Sequence, residues 1–497
     1  MDVPAEVGQD VRPGVIALAR GYGQRTGYQG DLVLDGAAPR GRPALRRRGG
    51  GGPARRRHGG VGAAARAAEL GRAAAARRAP GAVPGAVVTG RAPRGLVAVL
   101  LLITIVGGWA VGVRVFGGIR TTNMTNAVAW GLWVALYIYF IGLSAGSFLL
   151  SSLVYVFGLK GFERVGPVAL FSALVLLGTG LVFIGLDLGH IERGPTTYTH
   201  PQFHSVLSWE IMAYGAYVVI ILTELWLLLR PDLARLRDAS SGAWRWVYRV
   251  LALGTVDVSP AAVARNHRIV GWVAVIGLPV AVAVHGGTGA IFAVAKARPY
   301  WFSPLIPVVF VISALASGSG ALTAIHWATG DRQDPAWAGR VRALGGIAVG
   351  MVAFDVLLLG SDLLVGLYSQ IPEHTELYRT MLFGPFGWVF WGWQVGLGAL
   401  VPIGLYLWRG RRSPGVAALA GALVAFGAIA VRLDIVVPSL TVPVLPGLDG
   451  ALADLRYSYY YFPSWVEWLS SAGLMAGSAL GWIAGYAVLP LRPQAPE

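Results

Sequence analysis

Nine ionisable side chains stand inside long apolar runs of this chain: Asp187, Glu210, Glu224, His285, Asp355, Asp362, Arg432, Asp434 and Glu467. At bilayer depth such a group costs about 2.5–3.5 kcal/mol on insertion scales, so where these groups sit is informative. Seven of them fall in the outer third of their runs, and only Glu224 and Asp355 lie deeper. The densest stretch is 187–210, DLGHIERGPTTYTHPQFHSVLSWE, which packs acids, imidazoles and aromatic rings against a membrane face. Acids and an imidazole gathered at one depth suit a lipid-soluble carrier of two electrons and two protons. A quinone headgroup needs a titrating acceptor and donor, such as His285 with Asp187 or Glu210. Trp209, Tyr137 and Tyr214 offer rings to hold the headgroup and its tail, and His190 stands in the same stretch. Asp355 and Asp362 are seven apart, two turns on nearly one helix face and about 10 Å along the axis. With Glu224 they form a candidate proton path from the outer site toward the cytoplasm; the alternative is that each merely stabilises a helix contact.

Other chemistries fit less well. His190, His200 and His204 invite a metal, but Pro201 interrupts the 200–204 spacing and a polar outer loop holds histidines in any case, so no metal is expected. A bis-histidine haem needs partners at equal depth. His285 is near one end of its run, whereas His267 and His326 are near the other. A secondary transporter or ion-translocating subunit is the alternative function, although its site would be expected near the midplane at broken helices.

The elements that must position these residues are membrane helices. Of the 497 residues 55% are hydrophobic and 13% charged, and the mean hydropathy is +0.59, far from the balance of a soluble domain. From position 95 onward, apolar segments long enough to cross the hydrocarbon recur without the two-residue alternation of barrel strands. Ten helices are predicted, over 95–116, 128–157, 165–187, 205–229, 268–288, 303–328, 341–367, 384–408, 414–437 and 465–489. The fold class is an all-α integral membrane protein, with helices 2 to 5 and 6 to 9 as two four-helix bundles flanked by helices 1 and 10.

A faint internal duplication supports that grouping. SAGSFLL at 144–150 in helix 2 matches SGSGAL at 317–322 in helix 6, and AVAVH ending at His285 matches AIAVR ending at Arg432. Each member is four helices from its counterpart, which makes the repeat parallel.

The net charge of +16 divides unevenly, with +11 in residues 1–94 and +5 in the rest, so it is no sign of nucleic acid. Residues 1–94, rich in Arg, Gly, Ala and Pro, are expected to be a disordered tail or to follow a start assigned too far upstream; a basic arm on anionic lipid is the other reading, and a signal peptide is not expected. Residues 95–497 form the membrane domain. One set of alternate loops carries fifteen Lys or Arg and the other six. The positive-inside rule then puts both termini in the cytoplasm of a plasma-membrane protein and turns the 187–210 stretch outward. With no cysteine the chain has no thiolate for an iron-sulfur cluster, so electrons must come from a partner.

WGLWVALYIYFIGLSAGSFLL at 130–150, DLGHIER at 187–193, Ser208 with Trp209, AVHGGTGAIFA around His285, RPYW at 298–301 and YFPSWVE at 461–467 together resemble the NrfD or PsrC-like membrane subunits, within them the ten-helix HybB-like branch. That resemblance implies a haem-free subunit reactive toward menaquinone or a related quinone. It also implies an outward-facing, ferredoxin-like iron-sulfur partner that wires a molybdopterin or nickel-iron catalytic subunit. Carried onto this sequence, it has Asp187 and Glu210 lining the quinone pocket, His285 bonding or protonating the headgroup, and Arg432, Asp434 and Glu467 supporting the site. His190 stands where members often carry Arg, and 431–434 lacks the Asn residues common beside this Arg.

Overall fold

The computed structural model describes residues 93–158, 160–369, 371–445, 447–451 and 454–491. The expectations for the Arg-rich segment 1–94 therefore lie outside the described residues, save its last two. Among the described residues there is no strand, and ten helices are long and apolar enough to cross a membrane. They are α1 (Arg94–Gly117), α2 (Leu132–Val156), α3 (Gly166–Asp187), α4 (Val206–Ala239), α5 (Pro260–Ala293), α6 (Ile306–Thr329), α7 (Trp337–Tyr368), α8 (Trp388–Gly410), α9 (Pro414–Thr441) and α10 (Trp465–Val488).

Local chemistry sets their ends. Ser259 and Ser413 cap α5 and α9 through their hydroxyls, each with Pro at the first helical position, where no N–H is needed. Ser464 and Glu467 close a reciprocal capping box on α10. Two helices run about ten residues beyond their expected inner limits: α4 continues through Arg230, Arg235 and Arg237, and α5 begins ahead of Arg265 and Arg268. Charge ends a hydropathy signal at the headgroups, but helical hydrogen bonding continues into water. Between these extensions lies a short helix, Gly242–Leu251, also absent from the expectation.

Packing centres on α2, whose most apolar 18-residue window is wholly buried. It touches α3, α5, α6 and α9. Neighbours within α2–α5 close one group, neighbours within α6–α9 close another, and α1 pairs with α10 alongside α3. Lipid tails are as apolar as leucine, so membrane helices associate by close backbone approach rather than by hydrophobic drive. Gly146 of α2 and Gly318 of α6 show this: a methyl on Gly146 would overlap the Ala314 carbonyl oxygen, and one on Gly318 would sit 2.5 Å from the Gly146 carbonyl carbon. Both glycines lie in the matching SAGSFLL and SGSGAL motifs, so the duplicated segments meet each other at this crossing.

α8 departs from regular geometry. Trp388–Leu400 and Tyr406–Gly410 are π-helical, with a short α-helical piece containing Pro402 between them. Proline removes one ladder donor, and π turns tend to occur where function displaces the backbone.

Candidate functional site

Glu210 lies one turn into α4 and is 2% exposed. Its Oε1 accepts from the hydroxyls of Tyr137 at 3.1 Å and Tyr214 at 2.8 Å, and from Thr288 of α5. The two phenol oxygens are 2.5 Å apart. Tyr214 reaches the carboxylate because it is four residues on, on the same helix face, while α2 and α5 deliver the other two hydroxyls. One oxygen thus has three hydroxyls within reach, whose single protons are shared among it, the phenol pair and the Val284 carbonyl, and the other, Oε2, is buried with no partner.

His285 sits one turn before Thr288 and is fully buried. Arg432 of α9 donates through Nη2 to His285 Nε2 at 3.1 Å and to Ser313 Oγ at 2.5 Å. Because Nε2 accepts, the imidazole proton resides on Nδ1, which is buried and has no partner. The guanidinium also stacks 4.5 Å from the Phe310 ring centre. His285 and Arg432 close the matching AVAVH and AIAVR segments, so this second pair of duplicated positions is also in direct contact. Gly142 of α2 leaves room for both side chains, at 3.1 and 3.5 Å from an added methyl.

On the far side of α2, Arg114 donates to the Leu186 and Leu188 carbonyls at 2.9 and 2.7 Å, holding the end of α3 beside Asp187. Asp187 Oδ1 is buried and unpartnered. Glu467 takes the Tyr461 hydroxyl at 2.5 Å and the backbone N–H groups of Ser464 and Asn123 at 2.9 and 3.2 Å. Tyr461 in turn accepts from the first N–H of α2 at 2.8 Å. Burial, then the Glu467 carboxylate, push the Tyr461 phenol far above its ordinary range, so it stays a donor. Glu467 therefore organises the N-terminal ends of α2 and α10 and has no hydrogen bond to Arg432.

The remaining candidates separate. Asp355, Asp362 and Asp434 line one cavity of about 40 Å³ with Tyr300 and Gln394, inside the α6–α9 group. Glu224 belongs to the α2–α5 group, fully buried with both oxygens unpartnered. The structure thus does not bring the three members of the expected proton path together. Trp209 is 58% exposed and donates to the Phe203 carbonyl at 2.9 Å. His190 is exposed and pairs with Glu192 at 2.8 Å, and His200 meets the neighbouring Thr199 hydroxyl at 2.9 Å. Among the described residues no three His, Asp or Glu side chains are placed to hold a metal.

Thr288, Ser313, Arg114, Tyr300 and Gln394 were not anticipated. The hydroxyl residues resemble the many Ser and Thr that bond back to their own helix, as Thr288 also does at 3.0 Å to Val284. Arg114 looks like an ordinary flanking cation. Gln394 carried a usable signal, being an uncharged polar side chain in an otherwise apolar, Trp-rich segment.

Comparison with known proteins places this site in context. Residues 120–444 match the family model described as polysulphide reductase, NrfD. A selenate reductase subunit of Mesobacillus selenatarsenatis is 38% identical, over 76% of this chain and 89% of that protein. A putative dimethyl sulfoxide reductase membrane subunit of Halobacterium salinarum is 32% identical, over 81% and 93%. The Hdr-like menaquinol oxidoreductase integral membrane subunit of Archaeoglobus fulgidus is 28% identical, over 80% and 93%.

Proposed function

This chain belongs to the polysulphide reductase NrfD family, and from that premise we propose that it is the quinone-reactive membrane subunit of a respiratory reductase complex. In this reading it exchanges electrons between a menaquinone-type quinone and an iron-sulfur partner on its outer face. The name of the Archaeoglobus relative supports the substrate class. Quinone reduction or quinol oxidation moves two electrons and two protons, and the protein's part is to hold the ring and manage the protons.

The observation that carries the proposal is the Glu210 carboxylate. Three hydroxyls occupy Oε1, which leaves the buried, unpartnered Oε2 as the atom free to take a proton or accept a ring hydroxyl. One turn along α5 from Thr288, the unpartnered Nδ1–H of His285 is a second polar group free for a ring oxygen, its tautomer held by Arg432. Tyr137 and Tyr214 bound the site as aromatic walls, and exposed Trp209 stands at its outer rim. Asp187, held at the end of α3 beside Arg114, is assigned to the same outer rim, with Glu467 supporting it through the α10 cap.

Proton movement within the α2–α5 group follows one face of α4. Tyr214, Tyr217 and Glu224 succeed Glu210 at four, seven and fourteen residues, and the Tyr217 hydroxyl is 3.3 Å from Ser144 Oγ. Asp355 and Asp362 lie apart from that face, in the α6–α9 group. The chain has no cysteine to bind a cluster, so electrons pass between the quinone and a partner, taken from the family resemblance to be a ferredoxin-like subunit that connects to a molybdopterin or nickel-iron subunit.

The test is menaquinol-analogue turnover by the intact complex carrying Glu210→Gln, which keeps shape and removes the proton acceptor. A fall of about 10²-fold or more in kcat with the partner subunits retained is expected. Turnover within threefold of the parent complex overturns the assignment.

A further inference from the structure

We propose that the α6–α9 group contains a binding site for one monovalent metal cation of sodium size, independent of the quinone site. The cavity of about 40 Å³ lined by Asp355, Asp434, Gln394 and Asp362 is the place. It is large enough for about one water or small ion.

Among the residues that line this cavity, the buried atoms without a partner are all oxygens, while Arg432 Nε and Nη1 are unpartnered outside the lining. Asp434 Oδ1 and Oδ2, Asp355 Oδ1 and Gln394 Oε1 lack a hydrogen-bond donor, with Asp434 only 2% and Gln394 9% exposed. Four oxygen acceptors without a donor are an oxygen-ligand set for a hard cation. Protons on the two carboxyl groups leave the Gln394 carbonyl oxygen to find a donor, whereas a cation in the cavity that all three residues line can draw on oxygens of each. Gln394 adds a point that proton traffic does not explain, since an amide carbonyl does not titrate in this range but does ligate metal ions. It is presented by the π-helical part of α8, where the backbone departs from the regular ladder.

Charge points the same way. Asp355, Asp362 and Asp434 face the cavity, and the guanidinium of Arg432, one turn before Ile435 of the same lining, is the basic group within electrostatic reach of Asp355. Asp362 also has His374 within electrostatic reach; where Asp355 and Asp434 are ionised, the one guanidinium does not balance them both, and a bound cation would supply the remaining charge. Asp362 already takes the Tyr378 hydroxyl at 3.0 Å, so the deficit concentrates on Asp355 and Asp434. Two carboxylates and an amide oxygen suit a monovalent ion better than a divalent one.

The experiment is equilibrium binding of radioactive sodium to the intact complex in detergent, with choline replacing sodium and potassium as competitor. The expected result is saturable uptake of one sodium per chain, weakened at least tenfold by Asp434→Asn and separately by Gln394→Leu, with potassium competing poorly. Thermal unfolding in choline shows whether each variant is folded. No saturable uptake by the parent complex, or uptake unchanged in a folded Gln394→Leu variant, overturns the proposal. Neither quinone nor turnover enters this measurement, so its failure is separable from failure of the Glu210 assignment.

Discussion

Three hydroxyls on one carboxylate oxygen set up a graded series at the residue scale. Removing one, as in Tyr214→Phe, leaves Tyr137 and Thr288 on Glu210 Oε1; the loss of about 1–1.5 kcal/mol expected for one such bond corresponds to roughly a tenfold fall in quinol turnover. That step should be smaller than the one for Glu210→Gln and is read from kcat and KM on the intact complex. A Tyr214→Phe complex as impaired as Glu210→Gln would mean that the phenol itself, rather than the carboxylate, is the proton acceptor. Arg114 has a different role. Arg114→Gln withdraws the charge and donors from the Leu186 and Leu188 carbonyls beside Asp187, and a lower thermal midpoint is expected, measured by tryptophan fluorescence. Glu210 was legible in the sequence because carboxylates are rare at that depth, and Tyr137 and Tyr214 because they are aromatic residues expected close to the acidic stretch. Thr288 and Ser313 were not, since hydroxyls in membrane helices commonly serve their own backbone, and only the tertiary fold brings these two to a carboxylate and a guanidinium.

Among elements, the α2–α6 crossing depends on absence of bulk. Gly146→Leu places a side chain where even a methyl would overlap the Ala314 carbonyl oxygen, so overpacking of several kcal/mol and loss of folded protein from the membrane fraction are expected. Gly178→Leu on α3, where no atom lies within 4 Å of an added methyl, is the control that should accumulate normally. Between α6 and α7, Asp334 joins Arg340 of α7 to Arg164 before α3, the latter at 2.6 Å. Bonds from Arg340 and the Ala336 N–H, with the nearby guanidinium charges, hold the Asp334 carboxyl down at about 2. An unfolded Asp titrates near about 3.9, so this contribution to stability is whole above about pH 4 and disappears as pH falls toward 2. Asp334→Asn should lower the thermal midpoint at pH 7 and shrink its difference from the parent protein as the pH is taken below 4. The sequence disclosed every spanning helix, because twenty apolar residues leave few alternatives. It hid the extension of α4 past Arg230, that of α5 ahead of Arg268 and the short helix between them, where arginines end the hydropathy signal while hydrogen bonding continues.

For the whole molecule, the short matches of an internal repeat proved to mark real neighbours: the two small-residue motifs cross at Gly146 and Gly318, and His285 meets Arg432 at 3.1 Å. A parallel duplication relates its halves by an axis along the membrane normal, and counterparts that touch must lie near that axis, which a pattern of five or six letters could not disclose. The same arrangement sends the 187–210 stretch and the Gly242–Leu251 helix to opposite ends of α4. Fifteen basic residues against six in alternate loops give the expectation, by the positive-inside rule, that the second of these ends faces the cytoplasm. The chain contains no cysteine, so single introduced thiols report topology without background. Gln202→Cys, exposed in the outer loop, is expected to react with a membrane-impermeant maleimide in intact cells, whereas Ser241→Cys, exposed before the short helix, should react only after permeabilisation. The reverse pattern would place Glu210 and its hydroxyls on the cytoplasmic side. It would remove the outer iron-sulfur partner from the proposed complex, because an electron acceptor beyond the bilayer would then face the wrong end of α4.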